Sequence, residues 1–142
     1  MLKNSRTFII EWGDCDPAQI VFYPRYFAMF DHSTTMLISA ASKLTKYQLF
    51  QAYDVAGYPM VDTQAKFHSP NRFGDTVTIE SEFSRVGTSS FDIAHRIVKD
   101  GKVTVEGFEK RVWVGRDPAD PSKIKSKPIP DNLAKLFRGE AG

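Results

Sequence analysis

Pro24-Arg25-Tyr26-Phe27-Ala28-Met29-Phe30-Asp31-His32-Ser33-Thr34-Thr35-Met36-Leu37-Ile38-Ser39-Ala40-Ala41-Ser42 is the stretch on which the fold turns. Tyr26, Phe30, Ser33 and Leu37 recur at helical spacing, flanked by Phe27, Thr34 and Ile38, so the segment reads as one amphipathic helix. Pro24 suits its first turn, where a missing N–H costs nothing. Upstream, residues 6–12 alternate Phe8, Ile10 and Trp12 with Thr7, Ile9 and Glu11, which predicts a strand. Gly13-Asp14-Cys15-Asp16-Pro17 is dense in turn residues, and residues 20–23 form a short apolar bridge into the helix. Downstream, a weaker helix is expected over about 45–53, closed by Gly57.

Four strands are then expected, over residues 58–67, 76–86, 90–99 and 102–114. In the second, Val77, Ile79 and Phe83 oppose Thr78, Glu80 and Glu82. In the third, Phe91, Ile93, His95 and Ile97 share a face. Asp100-Gly101 is a strong hairpin signal, and Gly107 marks a possible bulge in the last strand. Short turns between successive strands favour a meander. A short helix over 131–137 closes the chain. One long helix on one face of an antiparallel sheet is an α+β design.

The chain has 142 residues, which is one domain's worth, with residues 115–130 as an extended, basic, proline-rich tail. Hydrophobic residues are 42% and charged residues 25%, ordinary globular values that argue against disorder. No run approaches the ~20 apolar residues of a membrane span, and the polar start carries no signal-peptide pattern. The single cysteine, Cys15, excludes an internal disulfide and a cysteine-based zinc cluster, so the cytoplasm is the expected compartment. A net charge of +2 permits an anionic partner but is too weak to argue for nucleic acid.

Little in the chain fits nucleophilic or metal chemistry. Cys15 lies between Asp14 and Asp16, whose charges disfavour a thiolate. His32, His68 and His95 fall on separate elements without metal-ligand spacing, so no metal is expected. There is no Gly-x-Ser-x-Gly elbow and no phosphate-binding glycine loop. Carboxylates remain. Asp14 and Asp16 sit in a turn just before a helix, and two readings stand. Either they cap local structure, or one faces an aromatic pocket as base or nucleophile, beside helix-start N–H groups that can hold an oxyanion. The surroundings are aromatic: Trp12, Phe22, Tyr23, Tyr26, Phe27 and Phe30 crowd this region, with Tyr26 and Phe30 expected in the core. In the tail, Lys123, Lys125 and Lys127 repeat every second residue. They are read either as a solvated stretch or as an extended strand with its charges on one side, suited to phosphate.

The run from Asp14 to Tyr26, Asp14-Cys15-Asp16-Pro17-Ala18-Gln19-Ile20-Val21-Phe22-Tyr23-Pro24-Arg25-Tyr26, resembles the Asp-x-Asp-x-x-Gly-Ile-Val-x-Tyr-x-x-Tyr signature of the 4-hydroxybenzoyl-CoA thioesterase family. Phe67-x-x-Pro70-x-x-Phe73-Gly74-Asp75 looks like that family's second landmark. The resemblance implies a hotdog fold, with a five-stranded antiparallel sheet wrapped around the long helix. It also implies edge-to-edge dimers, association into tetramers, and active sites at subunit interfaces. By the same resemblance, Asp16 matches the catalytic aspartate, and Tyr23 the residue whose backbone N–H binds the thioester oxygen. Asp31 stands at an aryl-pocket position and Ser90 near the CoA nucleotide. Lys123 and Lys125 stand where basic residues meet CoA phosphates. No cofactor is implied, since CoA is part of the substrate.

Four positions depart from the pattern. Gln19 replaces the glycine beside the catalytic loop, a site where close approach or positive φ is at issue. Gly87 and Thr88 stand where an arginine pair occurs, and Tyr58 replaces a threonine of the pocket wall. The expected activity is hydrolysis of an acyl-CoA thioester, with an aromatic acyl group preferred. The alternatives are a short- or medium-chain aliphatic acyl-CoA thioesterase of the same fold, and a non-catalytic acyl-CoA or aromatic-acid binding protein.

Overall fold

The computed structural model describes residues 1–140. Strand β1 (Lys3–Ile9) leads through a 3-10 turn (Trp12–Asp14) to helix α1 (Pro24–Ser42) and a shorter α2 (Lys46–Tyr53). Strands β2 (Met60–Phe67), β3 (Thr76–Val86), β4 (Ser90–Lys99) and β5 (Lys102–Val112) follow. A small hairpin of β6 (Val114–Arg116) and β7 (Ile124–Ser126) precedes the closing helix α3 (Asp131–Phe137). The main sheet has five antiparallel strands in the order β1-β3-β4-β5-β2, with α1 against one face. This is the expected hotdog arrangement.

Only part of the sheet is a meander. β3, β4 and β5 are consecutive, but β1 takes the free edge of β3, and β2 crosses to the free edge of β5. The first strand also ends earlier than its alternation predicts. The Ile10 N–H donates to Asp75 O and its carbonyl accepts from Gly74 N–H, while Glu11 and Asp14 close a reciprocal capping box around the 3-10 turn. The last strand breaks at Trp113. Its side chain is fully buried and its backbone N–H donates to Ser89 O, so the chain leaves the sheet and pairs with β7 instead. Gly107 is not a bulge. It stays in register with Ala65 and His95, and a Cβ there would lie 2.5 Å from the Phe30 ring. Glycine is needed because helix and sheet approach closely at that point.

α1 buries Tyr26, Met29, Phe30, Ser33, Thr34, Leu37, Ile38 and Ala41, the face its period predicts. Two apolar clusters form along it. Tyr26, Met29 and Phe30 pack with Val77, Ile79, Ile97 and Val105. Leu37, Ile38 and Ala41 pack with Phe83, Phe91, Trp113 and Phe137. Between them, on the same inward rows of α1, β3, β4 and β5, lie the buried polar residues Ser33, Thr34, Ser81, His95, Glu109 and Arg111. A polar belt therefore divides the core. β2 is the more exposed of the two edge strands: seven of its eight residues are exposed against four of seven in β1, and among the described residues it pairs only with β5. No helix among the described residues is long and apolar enough to cross a membrane.

Candidate active site

The loop before α1 is held by its own backbone. The Asp16 N–H donates to Ile20 O, the Gln19 N–H to Asp16 O, and the Phe22 N–H to Asp14 O, at 2.8–3.0 Å. Cys15 bridges Val21, and Ile20 bridges Arg72. The two aspartates separate in role. Asp14 Oδ2 accepts from the Glu11 N–H at 2.9 Å and is spent on the 3-10 turn. Asp16 Oδ1 accepts from the Ala18 N–H at 2.9 Å, an Asx turn that fixes the carboxylate. Asp16 Oδ2 makes no hydrogen bond among the described residues. Neither aspartate caps α1, whose N-cap is Tyr23 with no side-chain cap. The N–H groups of Phe22, Arg25 and Tyr26 are paired and Pro24 has none, which leaves the Tyr23 N–H as the helix-start donor without a partner among the described residues. Beside it opens a cleft of about 290 Å³ lined by Ile20, Val21, Tyr23, Tyr26, Phe67 and His68.

Gln19 takes the left-handed conformation, φ 68°, that glycine adopts without penalty. The loop thus keeps the backbone shape that a glycine would give it, and carries an amide side chain as well. Cys15 is no nucleophile: burial, then the charges of Asp14, Asp16 and Asp75, push its thiol up. Tyr26 and Phe30 are core as expected, whereas Trp12 and Tyr23 are 61% and 60% exposed, and Phe22, Phe67 and Phe73 about half exposed. Aromatic rings therefore surround the loop, and many face outward.

Asp31 and Tyr58 meet at the midsection of α1, away from this loop. Asp31 Oδ1 accepts from Arg111 Nη2 at 2.7 Å, and Arg111 Nη1 donates to Tyr58 O at 3.2 Å. The guanidinium also lies 5.6 Å from the Tyr58 ring centroid. Tyr58 itself is buried, stacks near Trp113, and its hydroxyl is 3.4 Å from Thr35 Oγ1. Burial pushes its phenol up.

Glu109 and Arg111 were not singled out in the sequence, although the signal is there. The alternation Val105, Gly107, Glu109, Arg111, Trp113 puts two charges on the inward row of β5. Buried charges require partners. Glu109 Oε1 accepts from Arg111 Nε at 2.9 Å and from the Thr34 hydroxyl, while Thr34 Oγ1 also contacts His95 Nε2 at 3.2 Å. Thr34 gives its one proton to Glu109, so His95 Nε2 is assigned as the donor to Thr34. Ser81 Oγ contacts His95 Nδ1 at 2.7 Å. Burial alone raises the Glu109 carboxyl, but hydrogen bonds from His95 and Arg111 reverse this and hold it at about 2.

The remaining site residues lie at a third place. Ser90 Oγ accepts from Arg85 Nη2 at 2.8 Å, and Arg85 also grips Asp92 through two bonds of 3.0 Å. A cation is therefore present at this hairpin, though not at Gly87 or Thr88. The three tail lysines divide. Lys127 Nζ donates to the carbonyls of Tyr53 and Asp54 and caps the end of α2. Lys125 lies in β7 opposite Gly115 and Lys123 just before it, both exposed. Lys123 Nζ is 3.9 Å from Asp120.

The sequence model of the thioesterase-like superfamily matches residues 10–137. The chain belongs to this superfamily. It is 27% identical over 132 residues to the 4-hydroxybenzoyl-CoA thioesterase of Pseudomonas sp. (strain CBS-3), covering 89% of this chain and 92% of that one. Its backbone is similar to the structure of a mutant 4-hydroxybenzoyl-CoA thioesterase complexed with 4-hydroxybenzoyl-CoA. That match has a TM-score of 0.87, 23% identity, and coverage of 96% and 99% of the two chains. It is also similar to a gentisyl-coenzyme A thioesterase, with a TM-score of 0.79, 28% identity, and coverage of 94% and 99%. The hotdog fold and the thioester-hydrolase class expected from the sequence both stand.

Proposed function

We propose that this protein hydrolyses an aromatic acyl-CoA thioester to the free acid and CoA, with Asp16 and the Tyr23 N–H as its reacting pair. The observation that carries this reading is their place in one short segment held by backbone hydrogen bonds: a carboxylate oxygen and a helix-start N–H, both without partners among the described residues. The N–H accommodates the charge that grows on the thioester oxygen. Asp16 then acts in one of two ways. It attacks the carbonyl carbon, the C–S bond breaks, CoA leaves and takes a proton, and water cleaves the resulting anhydride. Alternatively, it takes a proton from the water that attacks the carbonyl. Either route converts one thioester and one water into acid and thiol.

The aromatic preference is supported by the two relatives above 25% identity, whose names specify ring-hydroxylated aroyl groups. The aromatic lining of the cleft at the helix start agrees. The glycine-like backbone of Gln19 favours a working loop over the non-catalytic binding reading, and makes its side chain a candidate for substrate contact. We assign the exposed Lys123 and Lys125, with Ser90 at the neighbouring hairpin, to the CoA moiety, where compact ammonium charges suit phosphate. With one free cysteine the chain is assigned to the reducing cytoplasm.

The bare edge of β2 supports edge-to-edge pairing of two subunits, since such an edge otherwise invites aggregation. Antiparallel pairing of β2 with its copy brings the Phe67 end of one against the Met60 end of the other. Phe67 touches Tyr26 beside the helix start, and Met60 pairs with Arg111 beside Asp31 and Tyr58. One complete site would thus combine the Asp16 loop of one subunit with the Asp31 cluster of its neighbour.

Thiol release from a panel of aroyl- and alkyl-CoA esters tests the reading. Hydroxylated benzoyl esters are expected to give the highest kcat/KM. Preference for alkyl esters would replace the aromatic assignment, and no release above background would end the enzymatic one.

A further inference from the structure

The polar belt reaches the surface at Arg111. Glu109 is buried and holds Arg111 Nε, Tyr58 O holds Nη1, and Nη2 reaches outward to Asp31 Oδ1. Arg111 is 4% exposed, and the Tyr58 ring lies alongside its guanidinium. Asp31 is different: its side chain is 54% exposed, and its Oδ2 makes no hydrogen bond among the described residues. The planar guanidinium, fixed on three sides, therefore pins one oxygen of an exposed carboxylate and leaves the other aimed outward. A buried ion pair is weak evidence for stability, because well-packed apolar residues would serve the core as well. The belt instead suits a task that needs a carboxylate held in one geometry at the surface.

We propose that Arg111, braced by Glu109, is the positioning residue that orients Asp31 to accept a hydrogen bond from a hydroxyl on the acyl group, and so sets selectivity for hydroxylated aroyl thioesters. This rests on the reading that the acyl group reaches Asp31. A site built to pair with a substrate hydroxyl discriminates against analogues lacking it, because they forgo the hydrogen bond to the charged carboxylate. Positioning matters as much as presence, since a loosely held carboxylate loses most of that discrimination.

The test measures kcat and KM for 4-hydroxybenzoyl-CoA and benzoyl-CoA in wild type, Arg111→Met, Arg111→Lys, Glu109→Gln and Asp31→Ala. The quantity read is the ratio of the two kcat/KM values. A hydrogen bond to a charged group corresponds to roughly 10-fold or more. Asp31→Ala and Arg111→Met are expected to lower the ratio by about that factor, chiefly through KM for the hydroxylated ester. Arg111→Lys should restore part of it, because one ammonium donor still reaches Asp31, and Glu109→Gln should fall between. Arg111→Lys carries the test if Arg111→Met does not fold, and its fold is checked by circular dichroism. If the Arg111 variants slow both esters equally while Asp31→Ala lowers the ratio, Arg111 is merely structural and the inference fails alone. If Asp31→Ala leaves the ratio unmoved in an active enzyme, the acyl-pocket reading of Asp31 fails and the inference falls with it.

Discussion

Asp16 and Asp31 lie fifteen positions apart in the sequence and are held by opposite means. Asp16 sits in a loop of backbone hydrogen bonds, its carboxylate fixed, among the described residues, only by the Ala18 N–H of its own turn. Asp31 sits on a rigid helix, fixed by Arg111 reaching out of the core. The first arrangement leaves a carboxylate in the same short segment as an N–H without a partner, and no cation is paired with it among the described residues, which suits a reacting group. The second ties the carboxylate to a permanent charge, which suits recognition. The loop carries strain at Gln19, and the helix midsection carries the cost of burying Glu109. The proposed function thus assigns chemistry and selectivity to different parts of one chain, and pairing at β2 would join them across two subunits.

The sharpest way to break this division is to mix subunits. Asp16→Asn and Asp31→Ala homodimers should each be poor on a hydroxylated aroyl ester. Random mixing makes half the dimers hybrid, each with one intact site, so activity should return to about a quarter of wild type. No recovery after verified exchange would place both aspartates of a site in the same subunit.

A second comparison concerns acid. Glu109 is held at about 2 against an ordinary 4.5. A depressed carboxyl stabilises the fold above its unfolded value, and that contribution is lost as pH falls from about 4.5 through 2. The amount is on the order of 3 kcal/mol. Thermal melts from pH 6 to pH 2 should show this loss in wild type and a flatter acid limb in Glu109→Gln. Asp31→Ala should leave the Glu109 contribution largely in place, because the exposed carboxylate bonds only the outer end of Arg111. Equal acid limbs in wild type and Glu109→Gln would contradict the lowered Glu109 carboxyl.

The smallest effect is at Gln19. Its left-handed backbone costs about 1 kcal/mol relative to glycine, so Gln19→Gly should raise the melting temperature by a few degrees. A fall in kcat/KM alongside that gain would show that the amide contributes to substrate binding. Unchanged stability would mean that the loop shape differs from the one described.

Much of this was legible in the sequence. α1, β3, β4 and α3 were readable to the residue, because each combines a strong period with clear punctuation. Sheet order was not, since β2 alternates weakly and is exposed on both faces, so its period carries no information about which neighbour it joins. Trp113 ends β5 through its own burial and a bond to Ser89, which are long-range facts. At the candidate site, Asp16 and Tyr23 were singled out through their signature, and each has an atom without a partner among the described residues. Glu109 and Arg111 were passed over because charges on a strand are usually taken as solvated, although their inward positions marked them. The lysine repeat was also misleading in part. Lys127 shares the period of Lys123 and Lys125, yet it caps α2.

Single-turnover thiol release from 4-hydroxybenzoyl-CoA, compared in wild type and Asp16→Asn, tests the central claim most directly. The account predicts that the variant still binds the ester while its rate of thiol release falls by about 10²–10⁴. An Asp16→Asn protein that releases thiol at close to the wild-type rate would remove Asp16 from the chemistry and the account with it.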